Sequence, residues 1–145
     1  MTEIDRYFRT KQYGGYSNCL DRGDGWTVPN CVGMAWGMFF MERGVKDFSK
    51  RPTGDANTIY EACKKYGSGF WVSKAVKEHS ILCFNIGKCG HVVYCMSKIN
   101  GYYFCIESNY SGTPTNGKFI RTFMTKNPES LYKNYQGCVY NLTNK

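Results

Sequence analysis

The sequence predicts an α+β fold in which N-terminal helices pack on an antiparallel β-sheet. Helix-period segments fall early, at about residues 31–43 and 55–66, and every apolar run from residue 80 onward is short and β-type. Helices first and strands afterwards are the pattern of an α+β protein with an antiparallel sheet. A chain of 145 residues that is 42% hydrophobic has material for one core and little for a second. Residues 1–145 are therefore expected to form a single domain, with about 1–18 as a peripheral extension.

Each element follows from its local pattern. Residues 13–30, YGGYSNCLDRGDGWTVPN, are rich in Gly, Asn and Asp, hold no apolar period and read as an extended loop. Loops of that length are commonly functional or disordered. Pro29-Asn30 then leads into CVGMAWGMFFMERG, with Asn30 as N-cap and Gly44 as terminator of a helix over about 31–43. Its apolar residues, Val32, Met34, Ala35, Trp36, Met38, Phe39 and Phe40, circle the whole cylinder, which predicts a buried helix. Gly33 and Gly37 cost helix propensity but clear a strip for close approach of a neighbour, taken to be the sheet. DANTIYEACKKYG makes a second, amphipathic helix at about 55–66 through Ile59, Ala62, Cys63 and Tyr66, ended by Gly67. Strands follow at 80–86, 91–98, 102–109, 118–124 and 137–142, with a helical turn at 128–133.

Composition narrows the function classes. A net charge of +8 suits a polyanionic partner, whether nucleic acid, anionic membrane or anionic cell-wall polymer. The basic residues (Lys11, Lys46, Arg51, Lys88, Lys118 and Arg121 among them) are dispersed, with no run of five, which argues against a nucleic-acid arm. No segment approaches the roughly 18 apolar residues that span a bilayer, and MTEIDRYFRT is not a leader, so neither membrane anchor nor signal peptide is expected. Work outside the cytoplasm would then depend on release by something else. Eight cysteines, at 19, 31, 63, 83, 89, 95, 105 and 138, contain no CxxC pair. Reduced thiols are expected, rather than a disulfide framework or a structural zinc. Cys89, His91 and Cys95 are near enough in sequence to share a metal, but their spacing favours none.

Most cysteines are small buried residues, yet Cys31 opens a helix, where unpaired N–H groups and the macrodipole favour a thiolate. The same N–H groups, near Val32, would cradle an oxyanion. A base must come from His79 or His91. His79, in the polar stretch KEHS, is expected to be solvated, whereas His91 begins the apolar strand GHVVYCM, where an imidazole is out of place without a task or a partner. The hairpin CMSKINGYYFCIESNY offers Glu107 and Asn109 to orient that imidazole. Register decides whether they reach it. A two-residue Asn100-Gly101 turn would pair 99 with 102 and put Glu107 opposite Tyr94, on the wrong face. A three-residue loop over 99–101, with Gly101 as a left-handed bulge residue, pairs 98 with 102, 91 with 109 and 93 with 107. Only the longer loop gathers Val92, Tyr94, Met96, Tyr102, Phe104 and Ile106 on one apolar face, so it is the expected one. Asn109 then lies across from His91, with Glu107 diagonal to it.

In that order, PNCVGMAWG, GHVVY and ESNY resemble the motifs of the CHAP domain, the cysteine, histidine-dependent amidohydrolase/peptidase module of many phage endolysins. The resemblance runs from about Cys19 to the final strand. It implies a papain-like α+β fold, a nucleophile at Cys31, a base at His91 and polar partners at Glu107 and Asn109. It also implies bacterial peptidoglycan as substrate, cut at the N-acetylmuramoyl-L-alanine amide or within the stem peptide or cross-bridge, with both bonds left open. The enzyme would then act at the wall after release from the host cytoplasm or as part of a virion. Two departures stand out. Some endolysin CHAP domains bind calcium through acidic residues before the Cys and an Asp two residues after it; Asp21 and Asp24 stand upstream here, but the later position is Gly33, so no metal or other cofactor is expected. A separate wall-binding domain, common in such endolysins, does not fit in this chain, leaving wall affinity to the basic surface, a partner subunit or a virion. Trp26, Trp71 and Tyr110, near the site in sequence, are candidates to line a saccharide or peptide groove, though packing accounts for them equally well. The rival readings are a cysteine protease acting on proteins and a non-catalytic wall-binding module. Against the latter, a domain without chemistry has no need of all four polar residues.

Overall fold

The computed structural model describes residues 19–21, 27–29, 31–45, 51–108 and 120–143. Strands β1 (Cys19–Asp21) and β2 (Thr27–Pro29) pair antiparallel and lead to helix α1 (Cys31–Glu42). A 3-10 turn at Ala56–Thr58 continues into α2 (Ile59–Tyr66). Six strands follow: β3 (Phe70–Ser73), β4 (Ser80–Phe84), β5 (His91–Ile99), β6 (Tyr102–Ser108), β7 (Ile120–Thr125) and β8 (Tyr135–Asn141). A 3-10 turn at Pro128–Ser130 separates the last two. The six form one sheet in the order β3-β8-β4-β5-β6-β7, antiparallel throughout. The protein is α+β with an antiparallel sheet.

Helix α1 is buried along its whole middle, from Val32 to Phe40, as its all-round apolar surface requires. It lies on β4, β5 and β6. Trp36 stacks on Phe40 at 5.6 Å and meets Phe39 and Phe70 edge-on, so one aromatic cluster joins the helix to β3. Each such side chain contributes about 1.5–3 kcal/mol by leaving water. The helix ends as its Gly44 suggests. Gly44 takes φ +65°, its N–H bonds to the Met41 carbonyl, and Val45 N–H reaches back to Phe40, which satisfies two terminal carbonyls. The expected N-cap, Asn30, lies outside the described residues.

The sheet is covered on both faces, which is why SILCF in β4 reads as a continuous apolar run. One face, with Ile81, Cys83, Val92, Tyr94, Ile106 and Val139, packs on the helices. The other carries Leu82, Phe84, Val93, Cys95, Cys105 and Cys138 beneath Val76, Leu131, Tyr132 and Tyr135. At the C-terminal end of α1, Arg43 donates to the carbonyls of Phe39, His79 and Asn141 and to the Tyr94 hydroxyl, fastening the helix to both β5 and the last strand.

Three expectations about local structure are corrected. Cys19–Asp21 and Thr27–Pro29 pair as strands inside the region read as a loop, and β3 lies where no strand was expected. Segments of three or four residues are too short to display a period. The β5–β6 turn is also not the three-residue loop anticipated. Ile99 pairs with Tyr102 across a two-residue Asn100-Gly101 turn, both residues at positive φ. The ladder then slips, with Met96 and Ser97 together facing Phe104, and continues as Cys95–Cys105 and Tyr94–Ile106. The register expected beyond the turn is therefore present, reached through an internal bulge.

Candidate active site

Two element starts meet at the site. Cys31 is the first residue of α1 and His91 the first of β5, and Cys31 lies close enough to act on the charge of the imidazole. What delivers His91 is the loop over 85–90. Asn57 Nδ2 donates to Asn85 Oδ1 and the Lys88 carbonyl, Asn57 N–H donates to the Cys89 carbonyl, and Asn134 and Asn85 exchange two further bonds. Gly90, at φ +80°, passes so close to Asn57 that a Cβ there would sit 2.5 Å from its backbone nitrogen. Only glycine fits.

The bulged register brings Glu107 onto the face that His91 shares. Nε2–H of His91 donates to Glu107 Oε1 at 2.7 Å. Glu107 is 1% exposed, and a carboxylate so buried must be paired and hydrogen-bonded. It is: the Tyr132 hydroxyl donates to Oε1 at 2.8 Å and Arg121 Nε to Oε2 at 2.6 Å. Burial pulls the Glu107 carboxyl upward, but the bonds from His91, Tyr132 and Arg121 outweigh it and hold it below the usual carboxylate range. Burial likewise works against the charged imidazole of His91, but the Cys31 thiol and the Glu107 carboxylate outweigh it and push its pKa from 6.5 up to about 9. At neutral pH the site holds an imidazolium against the Glu107 carboxylate, beside Cys31. That arrangement suits nucleophilic attack by sulfur, with the proton stored on nitrogen.

Cys31, His91 and Glu107 are thus brought together. Asn109, Tyr110, Trp26 and Asp24 lie outside the described residues, as does the side chain of Asp21. Trp71 is not at the site. It is 57% exposed on β3, edge-on to Tyr140, and β8 and β4 separate it from β5, about 14 Å across the sheet. His79 is not a solvated residue either. Its Nδ1 bonds Glu42 Oε1 at 2.9 Å, and that same oxygen accepts from the Tyr94 hydroxyl, so a polar stretch in sequence proves to be part of the α1 anchorage. Among the described residues no group of His, Cys, Asp and Glu is arranged to hold a metal ion, and Cys89 is exposed while His91 and Cys95 are buried. The seven described cysteines are free thiols. Burial raises Cys63, Cys83 and Cys138, and the neighbouring Cys105 thiol, with burial, raises Cys95. These are inert packing groups.

Sequence reasoning missed two residues, Arg121 and Tyr132. Arg121 had a signal: it interrupts the apolar run FIRTFM, and the β6–β7 ladder sets it directly opposite Glu107. Tyr132 had none, because it lies in the irregular stretch after Pro128–Ser130.

No family model matches the sequence, and no curated protein matches it. Among solved structures the chain is similar to one titled "The crystal structure of Ly7917", at 15% sequence identity and a TM-score of 0.53. The match covers 97% of this chain and 63% of that one, so this chain spans under two thirds of its length. The likeness is one of fold.

Proposed function

We propose that the protein is a cysteine amidohydrolase or peptidase of papain-like fold that cleaves an amide bond of bacterial peptidoglycan. One observation carries the chemistry: a cysteine at a helix start beside a buried histidine, whose Nε2 is held by a fully paired carboxylate. The substrate rests on the ordered resemblance of PNCVGMAWG, GHVVY and ESNY to CHAP motifs and on the net charge of +8, which suits an anionic wall.

In this reading the Cys31 sulfur attacks the amide carbonyl while its proton resides on His91. The first-turn N–H groups of α1 stabilise the oxyanion. As the C–N bond breaks, His91 passes its proton to the leaving amine, and a thioester remains. His91 then takes a proton from water, the resulting hydroxide attacks the thioester, and the acid leaves as Cys31 is regenerated. Glu107 fixes the imidazole tautomer throughout. The protein would act on the wall after release from the cell that makes it, or from a virion.

The test is hydrolysis of purified Gram-positive peptidoglycan by wild type and by folded Cys31→Ala, with fragments identified by mass spectrometry. Release of fragments by wild type alone is expected, and their masses distinguish amidase from endopeptidase. Equal cutting by the variant would remove Cys31 from the mechanism. Inert wall alongside cleavage of a denatured protein substrate would replace peptidoglycan with protein.

A further inference from the structure

The carboxylate behind His91 is more heavily braced than orientation of one imidazole requires. Glu107 receives three donors from three different elements: His91 from β5, Arg121 from β7, and Tyr132 from the segment after β7. Each brace has a distinct geometry. Arg121 stands opposite Glu107 in the β6–β7 ladder and takes the oxygen that His91 does not use. Its side chain is 42% exposed, so the charge rests at the rim while its Nε reaches the buried oxygen. Tyr132 shares Oε1 with His91 and also sets its ring edge-on against the imidazole, at 5.0 Å and 77°. The Tyr132 ring is fixed in turn against Phe84. Tyr132 therefore constrains both members of the His91–Glu107 bond, one by hydrogen bond and one by contact.

We infer that Arg121 and Tyr132 are positioning residues, which together fix the Glu107 carboxylate so that it holds the His91 imidazole toward Cys31. The inference rests on the reading of Cys31 and His91 as nucleophile and base. With the Arg121 charge or the Tyr132 hydroxyl removed, Glu107 keeps its burial but loses part of what favours its ionised form. It then takes up a proton at higher pH, and its bond no longer supports the imidazolium beside Cys31. Among the described residues, the groups that act on the pair are Cys31 from α1, Glu107 from β6, and Arg121 and Tyr132 through Glu107.

The experiment needs no substrate. The rate of Cys31 alkylation by iodoacetamide is followed against pH by peptide mass spectrometry in wild type, Arg121→Gln, Arg121→Lys and Tyr132→Phe. The exposed Cys89 serves as an ordinary thiol within the same molecule, and thermal unfolding verifies that each variant is folded. In wild type, Cys31 is expected to react at pH values where Cys89 does not. The acid limb of that reactivity is expected to move up by about one pH unit in Arg121→Gln and in Tyr132→Phe. Arg121→Lys, which keeps the charge, restores much of it. A merely structural role would lower the unfolding temperature and leave the limb in place, and an unmoved limb in either folded variant overturns the assignment of that residue. If wild-type Cys31 reacts no faster than Cys89 at any pH, the nucleophile reading itself fails and this inference falls with it.

Discussion

His91 and Glu107 change each other's proton affinity in opposite directions, and the consequence reaches beyond reactivity to stability. His91 is raised in the fold from 6.5 to about 9. A group raised in this way contributes its full stabilisation below its unfolded value and loses it as pH climbs through the folded one, here between 6.5 and 9. Glu107, held low, contributes above the ordinary carboxylate range and loses its share as pH falls through its depressed value. Stability of wild type to thermal unfolding is therefore expected to weaken as pH rises from 6.5 to 9, and Glu107→Gln is expected to flatten that decline by removing the carboxylate partner. A decline of equal depth in the variant would show that Glu107 contributes nothing to the charged imidazole. At this scale much was readable in advance. An imidazole heading GHVVYCM and a carboxylate within YYFCIESNY are polar groups in apolar strands, and such residues are anomalous without a shared purpose. Tyr132 carried no anomaly, because tyrosine in an irregular segment is ordinary.

The element that determines whether the site forms is the loop over 85–90, since it hands His91 to the start of β5. Gly87 and Gly90 both adopt positive φ, but a Cβ at Gly87 meets nothing within 4 Å, whereas one at Gly90 collides with the Asn57 backbone. The two substitutions therefore separate backbone strain from displacement. Gly87→Ala is expected to cost about 1–2 kcal/mol and to leave turnover intact. Gly90→Ala adds a collision that neither backbone relieves without moving, so it is expected to cost more in denaturant unfolding and also to depress turnover of the folded fraction. Equal effects on turnover would mean that the loop does not position His91. Elements with long periods, α1 and β4 through β6, were legible from sequence. The β1–β2 pair and β3 were not, because pairings of three or four residues are decided by the partner strand rather than by their own pattern.

For the molecule as a whole, the two ends of α1 divide the labour. Cys31 opens the helix at the candidate site, and Arg43, about 18 Å away along the axis, closes it at a knot of carbonyls from Phe39, His79 and Asn141 with the Tyr94 hydroxyl. Burial disfavours the Arg43 charge, and Tyr94 and Glu42 only partly offset this. Removing the guanidinium leaves several acceptors unpaired at once. Arg43→Ala is expected to destabilise by about 2–4 kcal/mol in denaturant titration with no change in turnover per folded molecule. A turnover loss without destabilisation would contradict that division. The layered α+β plan was legible because helical and β-type patterns segregate along the chain. The Arg43 knot was not, since its partners are mostly backbone carbonyls, to which sequence patterns give no weight.

The bulge at Met96 and Ser97 has a consequence of another kind. Because it absorbs the odd residue between the tip of the β5–β6 hairpin and the site, the outer part of the hairpin is geared separately from the inner part. Changes in length at Asn100-Gly101 meet the bulge before they meet Cys95 and Cys105. The tip is solvent-exposed, so it is a place on this protein where a foreign segment, such as an affinity tag, can be spliced in while the inner ladder keeps its alignment.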